Sequence, residues 1–343
     1  MKVLNLLQSG KYSGAENVVF QIISMLKNDD IDFIYSSRDG QIREALDERK
    51  IKYNLMSDFS LSEIRRVISE EKPDIIHAHD MRASFYASLC CGNIPLICHV
   101  HNNNFDSRGF SLKSLLFYYA ARKAKHIFWV SQSCFDGYKF HKSLEKKSTV
   151  LYNIIDIEAL QTKAQLDKKK YDYDIVYLGR LTYPKNPQRL LKVLKDVLNK
   201  RPETKIAIIG TGDMADEIND VIINENLYNI DYLGFNNNPY KMLNDCKLMI
   251  MTSRWEGTPM CALEALSLGI PIVSTPTDGL KDLISNGING YTCENDDDLV
   301  DRICLILNDR NLQKELSRNA STNVQKLMDV QCYKSSIKRQ YKY

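Results

Sequence analysis

QLDKKKYDYDIVYLGR, residues 165–180, decides how this chain is organised. Its first part is charged and poor in apolar side chains, and its last part is a short Ile- and Val-bearing run that ends on Gly179 and Arg180. Before it, the runs VLNLL, DFIYSS, DIIHAH, PLICHVH, HIFWVS and STVLYN are each followed by a longer polar stretch of helical pattern. Continuous apolar runs of that length, alternating with amphipathic segments, are what buried parallel strands joined by crossover helices require. After residue 170 the pattern restarts with DIVYLGR, KIAIIGTG, IDYLGF, KLMIMTS and PIVSTP. A restart after a polar link marks a second domain. The expected fold is α/β: two Rossmann-like doubly wound domains, 1–168 and 169–325, whose strand carboxyl ends face a central cleft where ligands bind. Residues 326–343, ending in SSIKRQYKY, are expected to form a terminal helix.

The length, 343 residues, suits two cores of about 150 to 170 residues each. With 44% apolar and 26% charged residues, the composition excludes disordered and membrane-spanning classes, and a net charge of +3 gives no bulk attraction for nucleic acid. The opening MKVLNLLQSG reaches Gln8 and Ser9 too soon for the apolar core of a signal segment, so it is read as a first strand. No window approaches the roughly 18 apolar residues of a membrane crossing, so a cytoplasmic protein, at most peripheral on a membrane, is expected. The nine cysteines are scattered without zinc-like spacing and are read as reduced thiols.

The segment SRWEGTPMCALEALSLGIPIVSTP, residues 253–276, carries the clearest chemistry. The run KLMIMTS ends just before it, and Pro259 suits the first turn of a helix, which puts Glu256 in a loop and Glu264 on the helix. The amides of Gly257, Thr258 and Met260 are expected to face an oxygen-rich ligand at that helix start. The bland alternative is a capped amphipathic helix with solvent-facing glutamates. In YLGRLTYPKNPQRLL, residues 177–191, a strand runs into Gly179 and Arg180, and Lys185 and Asn186 open the next helix. Two cations near a helix N-terminus make a site for a diphosphate.

These two segments resemble glycosyltransferase family 4, the group 1 type of retaining glycosyltransferase with the GT-B fold. That family has two glutamates separated by seven residues, a Gly-x-Pro turn after them, and an earlier glycine followed by Lys-Asn, and all of these stand here in the same order. The resemblance implies that Glu256 contacts the donor sugar, that Glu264 accepts hydrogen bonds from the ribose hydroxyls, and that Arg180 and Lys185 stabilise the leaving nucleotide. A carboxylate suits two adjacent hydroxyls because it accepts from both. IIGTGDMADEI, with Gly210 and Gly212, resembles the loop beside the nucleotide, and LGFNNNPYKML, with Phe235, the loop bordering the base. In SGKYSGAENVVF, Gly14 and Ala15 resemble the family's Gly-Gly-Ala-Glu loop with Ser13 in place of the first glycine, and loop packing is an equal alternative there. His101, in CHVHNNN, resembles the histidine that hydrogen-bonds the donor sugar, whereas His77, His79 and His99 are read as satisfied structural histidines. The terminal helix is expected to cross back to the first domain, as such tails do in the GT-B fold.

No metal site is expected. Asp172 with Asp174 lies at the linker, and Asp296 to Asp298 reads as a helix cap, so Arg180 and Lys185 would take the place of a cation. Between Arg108 and Lys147 nine Lys or Arg face two acidic residues around GFSLKSLLFYYAARKAKHIF, an amphipathic helix with aromatics on one side. This segment either docks on an anionic membrane surface or packs as a helix with a solvated basic face. The function implied is transfer of a sugar from a nucleoside diphosphate sugar to a hydroxyl of a saccharide or lipid-linked acceptor, without a cofactor. Assembly of a surface polysaccharide, lipopolysaccharide O-antigen or capsule is the setting the resemblance suggests. The rivals are a sugar-nucleotide 2-epimerase of the same fold and an inactive sugar-nucleotide-binding partner subunit.

Overall fold

The structure, a computed structural model, describes residues 1–12, 14–101 and 107–342. The chain divides into two compact units, Met1–Ile154 with Asp329–Tyr343, and Ile155–Met328. The first holds β1 (Lys2–Leu6), β2 (Asp32–Ser36), β3 (Ile75–His79), β4 (Leu96–Val100), β5 (His126–Trp129) and β6 (Ser148–Val150) in the order β2-β1-β3-β4-β5-β6, all parallel. Every residue of β3 and β4 is buried, as a parallel sheet covered on both faces demands. Strand alternation sends Leu4, Leu6, Ile76, Ala78, Leu96 and Cys98 into one apolar core. It turns Asn5, His77, His79 and His99 to the other face.

The helix Val330–Tyr341 belongs to this first unit. Tyr341 Oη lies 2.8 Å from His77 Nδ1, Lys125 Nζ donates to the carbonyl of Gln340 at 3.0 Å, and Lys334 and Lys338 pair with Asp29.

The second unit holds β7 (Ile175–Leu178), β8 (Ile206–Ile209), β9 (Ile230–Gly234), β10 (Leu248–Met251), β11 (Ile272–Ser274) and β12 (Gly290–Thr292), ordered β12-β11-β10-β7-β8-β9 and parallel. The chain builds outward from β7 through β8 to β9 and then returns to lay β10 on the other side of β7. Loops at such a reversal splay apart and leave room for a ligand at the carboxyl ends. The helix Pro187–Lys200 covers this sheet with Leu190, Leu191, Val193, Leu194 and Val197. Each such side chain contributes about 1.5 to 3 kcal/mol by leaving water.

The boundary differs from the one expected at 168/169. The helix Ile157–Leu166 lies in the second unit, where Leu160 and Ala164 are buried and the carbonyl of Lys163 accepts from Asn238 Nδ2 at 2.9 Å. The charged run after it is the exposed tail of a docked helix, so its composition marks the wrong side of the junction. The basic stretch also differs: in the helix Leu112–Lys123, Phe117 is buried while Leu112, Leu115 and Tyr119 are exposed, so the aromatics do not share a face.

Candidate functional site

In the second unit the loops after β7 and β10 meet beyond the ends of those two paired strands. The β7 loop passes through Gly179 and Arg180 into a short turn, Tyr183–Lys185, and Asn186 takes a left-handed φ of 55° to start the following helix. Lys185 Nζ lies 2.5 Å from Glu256 Oε1, which also accepts from Ser253 Oγ at 2.6 Å. The Lys185 and Glu256 side chains are only 14% and 9% exposed. Burial alone would lower the Lys185 pKa, but the charge of Glu256 and the hydrogen bond to it outweigh that and hold it above its ordinary value. Arg180 is exposed on the same loop, and its like charge pulls the Lys185 pKa down.

Several residues that the motifs did not reveal tie the two loops together. Thr252 Oγ1 donates to the carbonyl of Asn186 at 3.2 Å, Arg254 N to that of Pro184 at 2.8 Å, and Arg254 Nη2 to Asn186 Oδ1 at 2.9 Å. The Arg254 guanidinium also lies 4.4 Å from the centroid of the Tyr183 ring. Thr275 Oγ1 donates to the carbonyl of Ser253 at 2.7 Å, fixing the loop from the β11 side. Only folding brings these groups together, so no local pattern announces them.

The glycines answer to backbone packing. A Cβ on Gly210, whose φ is +137°, would lie 1.9 Å from the carbonyl oxygen of Gly179, and one on Gly212 would lie 2.2 Å from that of Leu181. The β8 loop thus rests directly on the β7 loop. The helix Met260–Ser267 begins after Pro259, whose ψ of 121° is extended, so Gly257 and Thr258 belong to the loop and their amides are not part of the helix start. Pro259, expected in the first turn, is instead the residue just before it, and Met260 is the first helical residue.

Glu264 is buried, which rules out the solvent-facing reading. Its Oε1 accepts from Tyr240 Oη at 3.3 Å. Burial pushes its pKa up to about 7, against the pull of Tyr240 and the positive charge of Lys163. Phe235 stands exposed just after β9. Tyr240 and Lys163 went unnoticed in the sequence because they reach Glu264 from a short helix and from the segment assigned to the other domain.

In the first unit Gly14 and Ala15 open the helix Gly14–Met25, and Ser13 lies outside the described residues. His77, His79, His99 and His101 form one buried group, with ring centroids 4.2 Å apart for His77 and His79 and 4.3 Å for His99 and His101. Burial holds His77 and His101 at about 3 and His79 and His99 well below the ordinary value. The expectation of satisfied structural histidines is wrong for His99, whose two ring nitrogens are buried without any hydrogen-bond partner. Side-chain nitrogens of His77, His79 and His99 all lie within 4.8 Å of one another, the one group among the described residues with metal-like clustering. His79 already uses both nitrogens on Asn5 and His101, so it has no lone pair to spare. The Asp-x-Asp residues are paired instead: Asp172 with Lys205, Asp174 with Lys247, and Asp296 with Arg189 and Lys192. Asn295, not the aspartates, caps the helix Asp296–Asn308.

Two doubly wound parallel sheets, one with its loops tied around a largely buried Lys–Glu pair at the strand-order reversal, have the architecture of the GT-B class. The structure of Anabaena HepE in complex with UDP-glucose superposes with a TM-score of 0.87 at 20% identity, covering 99% of each chain. Two family models, Glycosyltransferase Family 4 over residues 12–159 and Glycosyl transferases group 1 over residues 159–323, match in succession, and the chain belongs to the group 1 glycosyltransferases. An uncharacterized glycosyltransferase of Methanocaldococcus jannaschii is 31% identical over 62% of this chain, a match that spans 58% of that relative's length. The UDP-Gal:alpha-D-GlcNAc-diphosphoundecaprenol alpha-1,3-galactosyltransferase of Escherichia coli is 23% identical over 91% of this chain and 89% of its own. No helix of the described residues is long and apolar enough to cross a membrane.

Proposed function

We propose that the protein transfers a sugar, with retention, from a nucleoside diphosphate sugar to a hydroxyl of a saccharide or lipid-linked saccharide. The observation that carries this reading is the largely buried Lys185–Glu256 pair beside Arg180, followed along the chain by a buried Glu264 on the next helix. Lys185 and Arg180 take the diphosphate, Glu256 the sugar, and Glu264 the ribose hydroxyls; for Gly14, Ala15 and His101 a donor contact rests on the family resemblance alone. As the bond from the anomeric carbon to the phosphate oxygen breaks, its electron pair stays on the diphosphate, where the two cations offset the charge. The acceptor oxygen attacks the same face of the sugar, and its proton passes to the departing phosphate oxygen. No protein nucleophile and no metal take part, so transfer should survive chelation of divalent cations.

The E. coli relative's name specifies a UDP-linked donor and a diphosphoundecaprenol-linked acceptor, which supports a UDP-sugar donor and a lipid-linked saccharide acceptor here. The exposed side chains of Phe110, Leu112, Leu115 and Tyr119, with Lys123 and Lys139 against two of these rings, favour a peripheral hold on anionic lipid.

The deciding experiment is calorimetric binding of free UDP to Glu256→Gln and Glu264→Ala, paired with transfer rates. Glu264→Ala should weaken UDP binding and Glu256→Gln should slow transfer with UDP binding intact. Equal loss of UDP binding in both would make the two glutamates structural. Conversion of the donor into an epimer without acceptor would favour the 2-epimerase instead.

A further inference from the structure

The row Asn5, His79 and His101 crosses three neighbouring strand positions, on β1, on β3 and just past β4. His79 Nε2 lies 3.1 Å from Asn5 Oδ1, and His79 Nδ1 lies 3.0 Å from His101 Nε2. With burial keeping both rings neutral near pH 7, each carries one N–H and one bare nitrogen. An amide oxygen can only accept, so His79 holds its proton on Nε2 and its Nδ1 is bare. A bare Nδ1 at 3.0 Å requires His101 Nε2 to be the donor. One proton remains per ring, so His101 Nδ1 is left bare, and it is a buried atom with no hydrogen-bond partner.

We propose that Asn5 and His79 are positioning residues that set the tautomer of His101, so that its Nδ1 offers a hydrogen-bond acceptor to a hydroxyl of the donor sugar. The last step rests on the reading of His101 as a donor-sugar contact; the tautomer assignment does not. Parallel strands fix the backbone of the row, with Asn5 in register with His77 and His79 in register with His99, and the two hydrogen bonds then tie the side chains to one another. The proton order is directional. Reversing it at any member sets two donors or two acceptors face to face. The arrangement selects a hydroxyl that donates, and a donor sugar with fluorine or hydrogen at that position loses the bond, because fluorine cannot supply the proton.

The test is nitrogen-15 NMR of the full chain with labelled histidine at neutral pH, without ligand. The expected result is a protonated Nε2 and a bare Nδ1 for both His79 and His101. Asn5→Asp, which keeps an acceptor in place, should preserve that pattern. Asn5→Leu should let both tautomers appear and lower kcat about ten-fold with affinity for free UDP unchanged, the size of effect typical of groups that orient a histidine through its second nitrogen. His101 protonated at Nδ1 in the unmodified protein overturns the proposal, and that spectrum decides even if Asn5→Leu fails to fold. The hydroxyl contact is read separately, using whichever of UDP-glucose, UDP-galactose and UDP-N-acetylglucosamine most raises the melting midpoint. Its binding should shift the His101 Nδ1 resonance. A resonance left unmoved, with the tautomers as stated, overturns the sugar contact and leaves the relay standing.

Discussion

Lys185 Nζ and Glu256 Oε1 are 2.5 Å apart although the two residues are 71 positions apart in the chain. The cation assigned to the diphosphate therefore neutralises the carboxylate assigned to the sugar until a donor arrives to share both. Removing one partner leaves the other charge in a poorly hydrated place.

Lys185→Ala should accordingly lose on two independent measures. Thermal or denaturant unfolding should show about 3 to 5 kcal/mol of lost stability, the usual cost of stranding a buried charge. Lys185→Met combined with Glu256→Gln should cost much less. Turnover of Lys185→Ala and of Arg180→Ala should fall on the order of 100-fold, as when one preorganised transition-state stabiliser is removed, with a smaller change in donor affinity. Since Arg180 is exposed, its variant should keep its stability, which separates the catalytic loss from the folding one.

UDP affinity should rise with pH across the range around 7. Glu264 has its pKa lifted to about 7 by burial, and it accepts from ribose hydroxyls best as a carboxylate, so binding below that value must release a proton. Its contribution to folding runs the opposite way: a raised pKa gives stability that is complete below the unfolded value and is lost as pH rises through 7. The difference between the unmodified protein and Glu264→Gln in calorimetric titrations at pH 6 and pH 8 isolates this group from the phosphate's own titration. A difference independent of pH would refute the assignment.

The buried histidines should make the protein acid-labile. Burial depresses the pKa of His77 and His101 to about 3, below the ordinary value of 6.5. The stability tied to their neutral forms is thus present above about 6.5 and lost as pH falls below it, because the unfolded chain takes up protons that the folded chain refuses. Denaturant melts between pH 7 and pH 5 should show that slope. His99→Leu should reduce it by about one proton and leave stability at pH 7 unchanged or improved, since neither ring nitrogen of His99 has a partner to lose.

Flotation with vesicles should show binding to anionic but not neutral lipid at low ionic strength, weakening as salt rises. Leu112→Glu with Leu115→Glu should abolish it without altering the melting midpoint, because both side chains are already exposed. Equal flotation with neutral and anionic vesicles would mean that the basic stretch is an ordinary solvated face.

The repeating apolar runs determined the two parallel sheets, because a strand covered on both faces is built mostly of apolar residues, and that is visible residue by residue even where Asn5, His77, His79 and His99 interrupt it. The local spacing of Glu256 and Glu264, and of Gly179, Arg180 and Lys185, likewise lay open in the sequence, since one loop and its helix carry each set. Tertiary structure alone decided what those residues meet. It joined Lys185 to Glu256 across two loops, buried Glu264 under Tyr240, and placed the helix Ile157–Leu166 in the second unit in spite of the charged run that follows it. It also stacked four histidines from two strands and ran one of them through His79 to Asn5. A sequence pattern records the period of an element and the face it buries, but pKa values, tautomers and ion pairs depend on distances between elements, which exist only once the chain has folded.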